Sequence, residues 1–311
     1  MQTTQPTQHA MHGIWLPLVT PFLDDAWQGV DHGALRRMVT HYRAAGLAGI
    51  VVCGSTGEAA ALDAAEQLAV LDTVLEAAGD LPVTMGLAGN HLGHTLARLR
   101  ELDARPLAGV LVPAPYYIRP SQAGLRDWFA RLADASRAPL VLYDIPYRTG
   151  ATLTLETLLA LADHDNIVAI KDCGGNAHTT QALIADGRLS VLAGEDHQLL
   201  GTLALGGQGA IIASAHCRPD LFVEIWRAMA AGRLDHARRL FHALTPLIEA
   251  LFAEPNPAPL KALLARQGWL RNMLRAPMTT AAPQLDARLA GLHEALETAL
   301  PPAPQASLSR P

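Results

Sequence analysis

The chain has 311 residues, of which 50% are hydrophobic and 17% charged, so a large core can be buried and global disorder is excluded. A net charge of −5 and the lack of a basic run make nucleic acid an unexpected partner. Three cysteines without paired spacing do not form the framework of a secreted disulfide-rich protein, which favours a reducing cytoplasm.

The two ends of the chain are polar, and the first segment lacks the apolar core of a signal peptide. We predict that residues 1–12 and 300–311 are disordered tails. An uncharged run over residues 197–217 has the length of a membrane span but is interrupted by glycines. It indicates the end of a helix followed by a buried strand, so no membrane partner is expected.

Eight short apolar runs follow one another along the chain, separated by amphipathic stretches typical of helices. Most of them lack an alternation of polar and apolar residues, as expected of strands covered on both faces. The predicted strands are 14–19, 49–53, 83–86, 109–112, 140–143, 167–170, 191–193 and 210–213. Helices predicted between them include 32–45, 64–78 and 125–136.

Eight strands that alternate with helices predict an α/β fold in which parallel βαβ units close into a (β/α)8 TIM barrel over residues 13–232. A doubly wound open sheet is the alternative, but it would not need eight such regular units. Strand-like runs then stop, and residues 234–252, 258–267 and 283–298 have helical patterns. These predict a C-terminal helical domain over residues 233–299.

In such barrels, functional residues lie where the strands end, and lysine usage indicates one of them. The chain has 24 lysines and arginines, but its only lysines are Lys171 and Lys261. Lys171 directly follows the sixth predicted strand, and a partly buried lysine that loses its proton is the nucleophile of Schiff-base chemistry. An ion pair with Asp172 or another carboxylate is the structural alternative. The position of Lys171 alone supports the nucleophile and the ion pair equally.

Four of the five tyrosines lie at or after the ends of the fourth and fifth predicted strands. They are Tyr116, Tyr117, Tyr143 and Tyr147. A phenol relays protons to and from a carbinolamine. Packing of loops or of a subunit contact is the alternative, and it is the stronger interpretation for Tyr116 and Tyr147 taken singly.

Two further segments at strand ends have the chemistry of anion sites. The turn GSTGE at 54–58 offers backbone N–H groups and the hydroxyls of Ser55 and Thr56 to a carboxylate, unless it is a plain turn with Glu58 near a helix start. Arg148 has the planar fork that clamps a second carboxylate, although a loop arginine is more often a solvated charge. The histidines lack metal-ligand spacing, so no metal is expected.

Several motifs, in this order along the chain, resemble those of the pyruvate-dependent class I aldolases, the family of dihydrodipicolinate synthase and N-acetylneuraminate lyase. The resemblance runs from about residue 14 to residue 279. Its motifs are TP at 20–21, GSTGE at 54–58, PAPYYIRPSQAGL at 113–125, LYDIPYRTG at 142–150, AIKD at 169–172, GED at 194–196 and EPNPAPLK at 254–261.

The resemblance implies the catalytic roles. Lys171 would form the Schiff base with pyruvate, and Tyr143 would be the proton donor and acceptor. Ser55 and Tyr117 would complete a hydrogen-bonded relay, with Tyr117 at the subunit contact. The resemblance implies no cofactor, because the lysine itself forms the covalent Schiff base.

The substrate-binding roles come from the same resemblance. Thr56 would hold the pyruvate carboxylate, near Gly194 and Ile211. Arg148 resembles the arginine by which the synthases receive the carboxylate of aspartate semialdehyde, whereas the sugar-acid lyases usually lack an arginine there.

The chain departs from the family pattern at two kinds of position. Asp144 stands where asparagine is common, and we expect its charge to raise the pKa of Tyr143. Ala64, Gln67 and His94 stand where lysine-inhibited members carry two histidines and a glutamate. Since an imidazole does not replace the carboxylate that accepts an ammonium group, inhibition by L-lysine is expected to be weak or absent.

The implied reaction is the condensation of pyruvate with L-aspartate 4-semialdehyde to 4-hydroxy-tetrahydrodipicolinate, in lysine and diaminopimelate biosynthesis. The resemblance also implies a homotetramer built from tight dimers, and the cysteine usage favours a cytoplasmic location. One alternative is a related aldolase or dehydratase acting on a sugar acid or a hydroxyproline-derived acid. Another is a catalytically silent regulatory paralogue. Arg148 favours the synthase, and the intact Lys171, Tyr143 and Thr56 count against a silent copy.

Overall fold

A computed structural model describes residues 11–301 of the chain. The two predicted disordered tails, 1–12 and 300–311, lie almost wholly outside these residues. At their inner edges, Met11 is buried and the backbone oxygen of Leu300 accepts a 2.7 Å hydrogen bond from Arg218. The division into a barrel over 13–232 and a helical domain over 233–299 stays a prediction.

Eight parallel strands form a closed barrel in which each strand pairs with its two neighbours, and this confirms the predicted TIM barrel. Strands β1 to β8 are Gly13–Pro17, Gly49–Val52, Val83–Gly86, Gly109–Pro113, Leu140–Asp144, Ile167–Asp172, Ser190–Ala193 and Gly209–Ile211. The sixth strand continues two residues past its predicted end. This extension sets Lys171 in register with Tyr143 on the neighbouring strand.

The eighth strand is shorter than predicted, because the chain turns away from the sheet after Ile211. A 3₁₀ turn occupies Ala213–His216. The buried carboxylate of Asp196 accepts hydrogen bonds from the N–H groups of Ala213, at 3.2 Å, and Ser214, at 2.6 Å. These bonds replace the ladder bonds that a longer strand would form.

Helices cover the outside of the barrel, and most begin at a side chain that caps the first turn. Asp31, Asp63, Ser121 and Thr154, for example, each accept a hydrogen bond from a backbone N–H of the first helical turn. Helices α1 to α9 are His32–Arg43, Ala64–Ala78, Leu92–Leu102, Gln122–Ala135, Pro146–Thr149, Leu155–Leu161, Ala177–Asp186, Leu199–Ala204 and Pro219–Ala230.

Three further helices follow the barrel, at the predicted positions to within one residue. Helices α10 to α12 are Leu234–Leu251, Ala258–Arg266 and Pro283–Ala299. Helix α10 packs against α9 and α12, and the segment between α10 and α11 returns to the barrel mouth. Within residues 11–301, no helix is both long enough and apolar enough to cross a membrane.

Side chains of the strands divide between two buried layers, because successive residues of a strand point to opposite faces. The inner layer fills the barrel and contains Trp15, Val51, Leu111 and Leu192, among others. The outer layer lies between the strands and the helices. A polar residue at a strand end therefore enters the barrel only if its side chain lies on the inner face.

Candidate active site

Lys171 lies at the end of β6, and its side chain is buried, with 6% of the residue exposed. Its Nζ lies 4.5 Å from the centroid of the Tyr143 ring. Ala169, on the same face, belongs to the inner layer, and its small side chain leaves room beside the lysine. Burial lowers the pKa of the Lys171 amine, which favours the neutral, nucleophilic form.

Asp172 is not the partner of Lys171, although it is the next residue. Its carboxylate accepts hydrogen bonds from the N–H of Gly174, at 2.9 Å, and from the hydroxyl of Thr180. In the part of the chain that the structure describes, no carboxylate oxygen forms an ion pair with Lys171 Nζ within 4.0 Å. An ion pair between the two residues is excluded, because strand alternation turns them to opposite faces.

Tyr143 is the neighbour of Lys171 across the ladder and is equally buried. Burial raises the pKa of its hydroxyl well above the ordinary value, and a hydrogen bond with Ser55 and the charge of Arg148 oppose that rise. The phenol therefore keeps its proton at neutral pH and is linked to a second hydroxyl. This is the arrangement that a proton relay requires.

Asp144 is not among the groups that shift the pKa of Tyr143, so the predicted effect of its charge on that phenol finds no support. Its side chain points to the other face of β5, where Oδ1 accepts a 3.2 Å hydrogen bond from the N–H of Leu153. Burial, assisted by the charge of Asp172, raises the pKa of Asp144 to about 7.

The turn at 54–58 brings Thr56 into the cavity and holds it there. The N–H groups of Gly57 and Glu58 bond to oxygens within the turn, which leaves those of Ser55 and Thr56 to face a ligand. The Thr56 hydroxyl oxygen accepts a 2.9 Å hydrogen bond from Asn256 Nδ2. Since its oxygen accepts from Asn256, the Thr56 hydroxyl has its hydrogen free to donate to an anion.

Asn256 is a site residue that reasoning from the sequence missed. It lines the same cavity as Lys171, although it lies 200 residues from its partner Thr56. The only signal was its place within the motif at 254–261, and no chemical argument from spacing connects it to the second strand.

Gly194 and Ile211 close the cavity behind the lysine. A Cβ atom at Gly194 would overlap the Sγ of Cys173 and lie 3.0 Å from the Cγ of Lys171. Only glycine therefore lets the end of β7 approach the lysine this closely.

The outer part of the cavity is polar and charged. Arg148 and Tyr147 are exposed on the short helix α5, and the Arg148 Cζ lies 5.8 Å from the centroid of the Tyr147 ring. The hydroxyl of Tyr147 donates a 2.9 Å hydrogen bond to Glu195 Oε1. All three side chains line the same cavity as Lys171.

Tyr117 is the only predicted site residue that does not line this cavity. It is 89% exposed, has a φ of +73°, and its N–H donates a 3.0 Å hydrogen bond to the oxygen of Thr149. The chain therefore does not bring Tyr117 into its own relay. Its neighbour Tyr116 is held at the rim by Asn90, whose Oδ1 accepts a 3.0 Å hydrogen bond from the Tyr116 N–H.

His91 and His94, three residues apart at the start of α3, have a structural use. His91 Nδ1 accepts a 3.1 Å hydrogen bond from the N–H of His94 and thereby caps α3. Over residues 11–301, no group of three or more histidine, cysteine, aspartate or glutamate residues could hold a metal ion.

Comparison with known proteins connects this site to one family. A model of the dihydrodipicolinate synthetase family matches residues 10–296. The chain is 40% identical over 279 residues to the 4-hydroxy-tetrahydrodipicolinate synthase of Sorangium cellulosum, covering 88% of this chain and 92% of that protein.

Two solved structures give the same result. The chloride-inhibited dihydrodipicolinate synthase of Acinetobacter baumannii, complexed with pyruvate, has a TM-score of 0.88 and 30% identity, covering 92% of this chain and 98% of that one. The dihydrodipicolinate synthase of Cyanidioschyzon merolae with lysine bound has a TM-score of 0.89 and 29% identity, covering 93% and 99%.

Proposed function

The chain belongs to the dihydrodipicolinate synthetase family and is a lyase of the class I aldolase type; on this premise we propose that it condenses pyruvate with L-aspartate 4-semialdehyde. The observation that carries the proposal is the buried amine of Lys171, which has no carboxylate partner among the described residues and faces the Tyr143 ring at 4.5 Å. Burial lowers the pKa of this amine despite the nearby charges of Asp196 and Glu195, and so favours the neutral form that attacks a carbonyl carbon.

The reaction begins with bond formation between Lys171 Nζ and the carbonyl carbon of pyruvate. Tyr143 supplies a proton to the departing hydroxyl of the carbinolamine, and water leaves as the imine forms. Loss of a methyl proton gives an enamine. Its carbon forms a bond with the aldehyde carbon, the aldehyde oxygen takes up a proton to become a hydroxyl, and the imine is restored. The amino group of the adduct then attacks the imine carbon, which closes the ring and releases the lysine. Because the lysine activates pyruvate, the proposal needs no separate cofactor.

Thr56 holds the carboxylate of pyruvate in this proposal. Its hydroxyl donates to the carboxylate, together with the free N–H groups of the turn, next to Gly194 and Ile211. Asn256 keeps the Thr56 hydroxyl in that orientation. Arg148, on the outer side of the cavity, receives the carboxylate of the aldehyde substrate.

Tyr117 reaches the relay of a neighbouring subunit in a homotetramer of tight dimers. The support for this is its 89% exposure together with its absence from the lining of its own cavity. We place the enzyme in the cytoplasm, which its three buried free cysteines support.

Borohydride reduction in the presence of pyruvate tests the covalent step. The experiment should add a reduced pyruvyl group to Lys171, and mass spectrometry of the peptides identifies the labelled residue. Lys261 is the internal control, because it is the only other lysine. A label on Lys261, or no label at all, would overturn the proposed mechanism.

Arg148→Ala tests the second substrate. Loss of one charge-assisted hydrogen bond costs about 1.5–3 kcal/mol, so kcat/KM for the semialdehyde should fall about tenfold to a hundredfold while the pyruvyl label survives. The matched control is Arg288→Ala, at an exposed arginine of α12. Unchanged kinetics in Arg148→Ala would favour an aldolase or dehydratase acting on a sugar acid or a hydroxyproline-derived acid, which a panel of aldehydes would then identify.

A further inference from the structure

Glu195 is a carboxylate on the cavity wall to which the proposed reaction assigns no role. It directly follows Gly194, at the point where β7 approaches Lys171 most closely. Two neutral groups hold its carboxylate, the Tyr147 hydroxyl at 2.9 Å and the thiol of Cys173. The side chain is therefore oriented by its neighbours while half-exposed to the cavity.

The carboxylate of Glu195 also lacks a cation. Within residues 11–301, no lysine, arginine or histidine nitrogen forms an ion pair with it inside 4.0 Å. Its electrostatic influence reaches the amine of Lys171 and the hydroxyl of Tyr143, so its charge acts within the site. An oriented carboxylate without a counter-ion, facing a substrate cavity, is a site for a positively charged group of the ligand.

Tyr147 connects this negative group to a positive one. Its hydroxyl bonds to Glu195, while the guanidinium of Arg148 lies 5.8 Å from the centre of its ring. The Tyr147 side chain thus lies between Arg148, which can bind an anion, and Glu195, which can bind a cation. The two ends of an α-amino acid, a carboxylate and an ammonium group on the same carbon, require such a pair of opposite charges.

We propose that Glu195 receives the ammonium group of the second substrate, and that Arg148 and Glu195 together select an amino aldehyde. This inference rests on the proposed function and makes it more specific. The same contact places the substrate nitrogen on the side of the cavity where Gly194 adjoins Lys171. That nitrogen, once the ammonium group has lost a proton, is the atom that attacks the imine carbon when the ring closes.

The test uses three aldehydes that differ only in one group at the second carbon. L-aspartate 4-semialdehyde carries an ammonium group, malate 4-semialdehyde a hydroxyl, and succinate semialdehyde a hydrogen. The measured quantity is the second-order rate constant with which each aldehyde consumes the pyruvyl-enzyme in a single turnover, followed by borohydride trapping and mass spectrometry. Single turnovers do not depend on ring closure, so all three aldehydes are comparable.

Glu195→Gln should lower the ratio of rate constants for the amino aldehyde and succinate semialdehyde about tenfold to a hundredfold, the loss of one charge-assisted hydrogen bond. Tyr147→Phe keeps the charge but removes the bond that orients it, so the ratio should fall by a smaller factor, about twofold to tenfold. Glu294→Gln, at an exposed carboxylate of α12, is the matched control and should leave the ratio unchanged. The pyruvyl label reports in each variant that the site is folded.

Three results would overturn the inference. An unchanged ratio in both Glu195→Gln and Tyr147→Phe would show that Glu195 does not contact the ammonium group. Faster consumption of the hydroxyl aldehyde by the unmodified enzyme, lost in Glu195→Gln, would show that the carboxylate recognises hydroxyls. If the unmodified pyruvyl-enzyme consumes none of the aldehydes, the proposed synthase function itself fails, which the first two results leave intact.

Discussion

The two lysines of this chain are both buried, but in surroundings that differ in one respect. Lys171 lies at the barrel mouth without a carboxylate partner among residues 11–301. Lys261, on α11, is fully buried in an ion pair with Glu58, and its amine also donates a 2.9 Å hydrogen bond to the backbone oxygen of Met273. Burial lowers the pKa of both amines, and carboxylates oppose that effect at both: the paired Glu58 at Lys261, and Asp196 and Glu195, which form no ion pair with it, at Lys171.

The partner of Lys261 belongs to a network that joins the barrel to the C-terminal helices. The N–H of Arg275 donates to Glu58 Oε2 at 3.2 Å, and the guanidinium of Arg275 forms an ion pair with Glu66. Lys261 and Arg275 also lie 4.2 and 4.7 Å from the centroid of the Phe22 ring.

The comparison shows what distinguishes a reactive lysine from a structural one. Burial alone does not, because both residues share it. The difference is whether a carboxylate holds the ammonium form in place, as Glu58 does for Lys261, or whether the amine is left to a substrate. Five experiments test this comparison, from the largest expected effect to the smallest.

Lys171→Met should abolish turnover, by about 10⁴-fold or more, because it removes the covalent nucleophile. Its stability to urea should equal or exceed that of the unmodified chain, since no carboxylate loses its partner and an apolar side chain replaces a buried amine. Steady-state rates and urea unfolding curves measure the two effects. A strongly destabilised Lys171→Met would mean that the amine has a structural partner after all.

The opposite result is expected at the ion pair. Glu58→Gln or Lys261→Met should each lower the free energy of unfolding by about 3–5 kcal/mol, because each leaves the other charge buried without its partner. The double variant should lose less than the sum of the two. Pyruvyl label should still form on Lys171 wherever the variants are folded. A cost below about 1 kcal/mol for both single changes would contradict the structural role.

Asp144 extends the comparison to a buried carboxyl group without a cation. Its pKa of about 7 in the folded chain lies above its ordinary value of 3.8, so the native state binds more protons between these pH values and stability falls as pH rises through that window. Asp144→Asn should therefore stabilise the chain at pH 8, by up to roughly 4 kcal/mol, with a gain that shrinks toward pH 4. Urea unfolding at both pH values measures this. A gain that does not depend on pH would show that titration is not its cause.

Tyr117 tests whether the site of Lys171 is complete within one chain, as that of Lys261 is. Tyr117→Phe should lower kcat by about 10- to 100-fold, part of the 10²–10⁴-fold that acid–base groups contribute. Coexpression with Lys171→Met should restore activity above the sum of the two variants, because mixed dimers contain one site with both Lys171 and Tyr117 intact. Failure to restore activity would mean that no partner's tyrosine enters the site.

The smallest effect is expected from adding free L-lysine. Gln67, at a position where inhibited relatives carry a histidine, already bonds to the oxygens of Ala59 and Leu62 and to Arg98. His94, in place of a glutamate, is stacked on His91 at 4.0 Å. Initial rates at saturating pyruvate should therefore change little across a lysine titration. Strong inhibition at submillimolar lysine would show that other residues accept the ammonium group of lysine.

The sequence by itself determined the barrel fold and the position of Lys171 at the barrel mouth. Apolar runs without alternation predict strands covered on both faces, and the count of eight predicts closure. The position of Lys171 after the sixth run placed it at the mouth, because parallel strands of a barrel end at one face. These are local features, and a strand's composition records whether it is buried.

Only the tertiary structure decided which distant groups meet. The contact between Asn256 and Thr56 spans 200 residues, and that between Lys261 and Glu58 spans 203. Both arise because the C-terminal segment returns across the closed barrel, a path that no periodicity encodes. The orientation of Asp144 depended on β5 continuing one residue past its predicted end, since alternation within a strand turns Asp144 to the face opposite Tyr143.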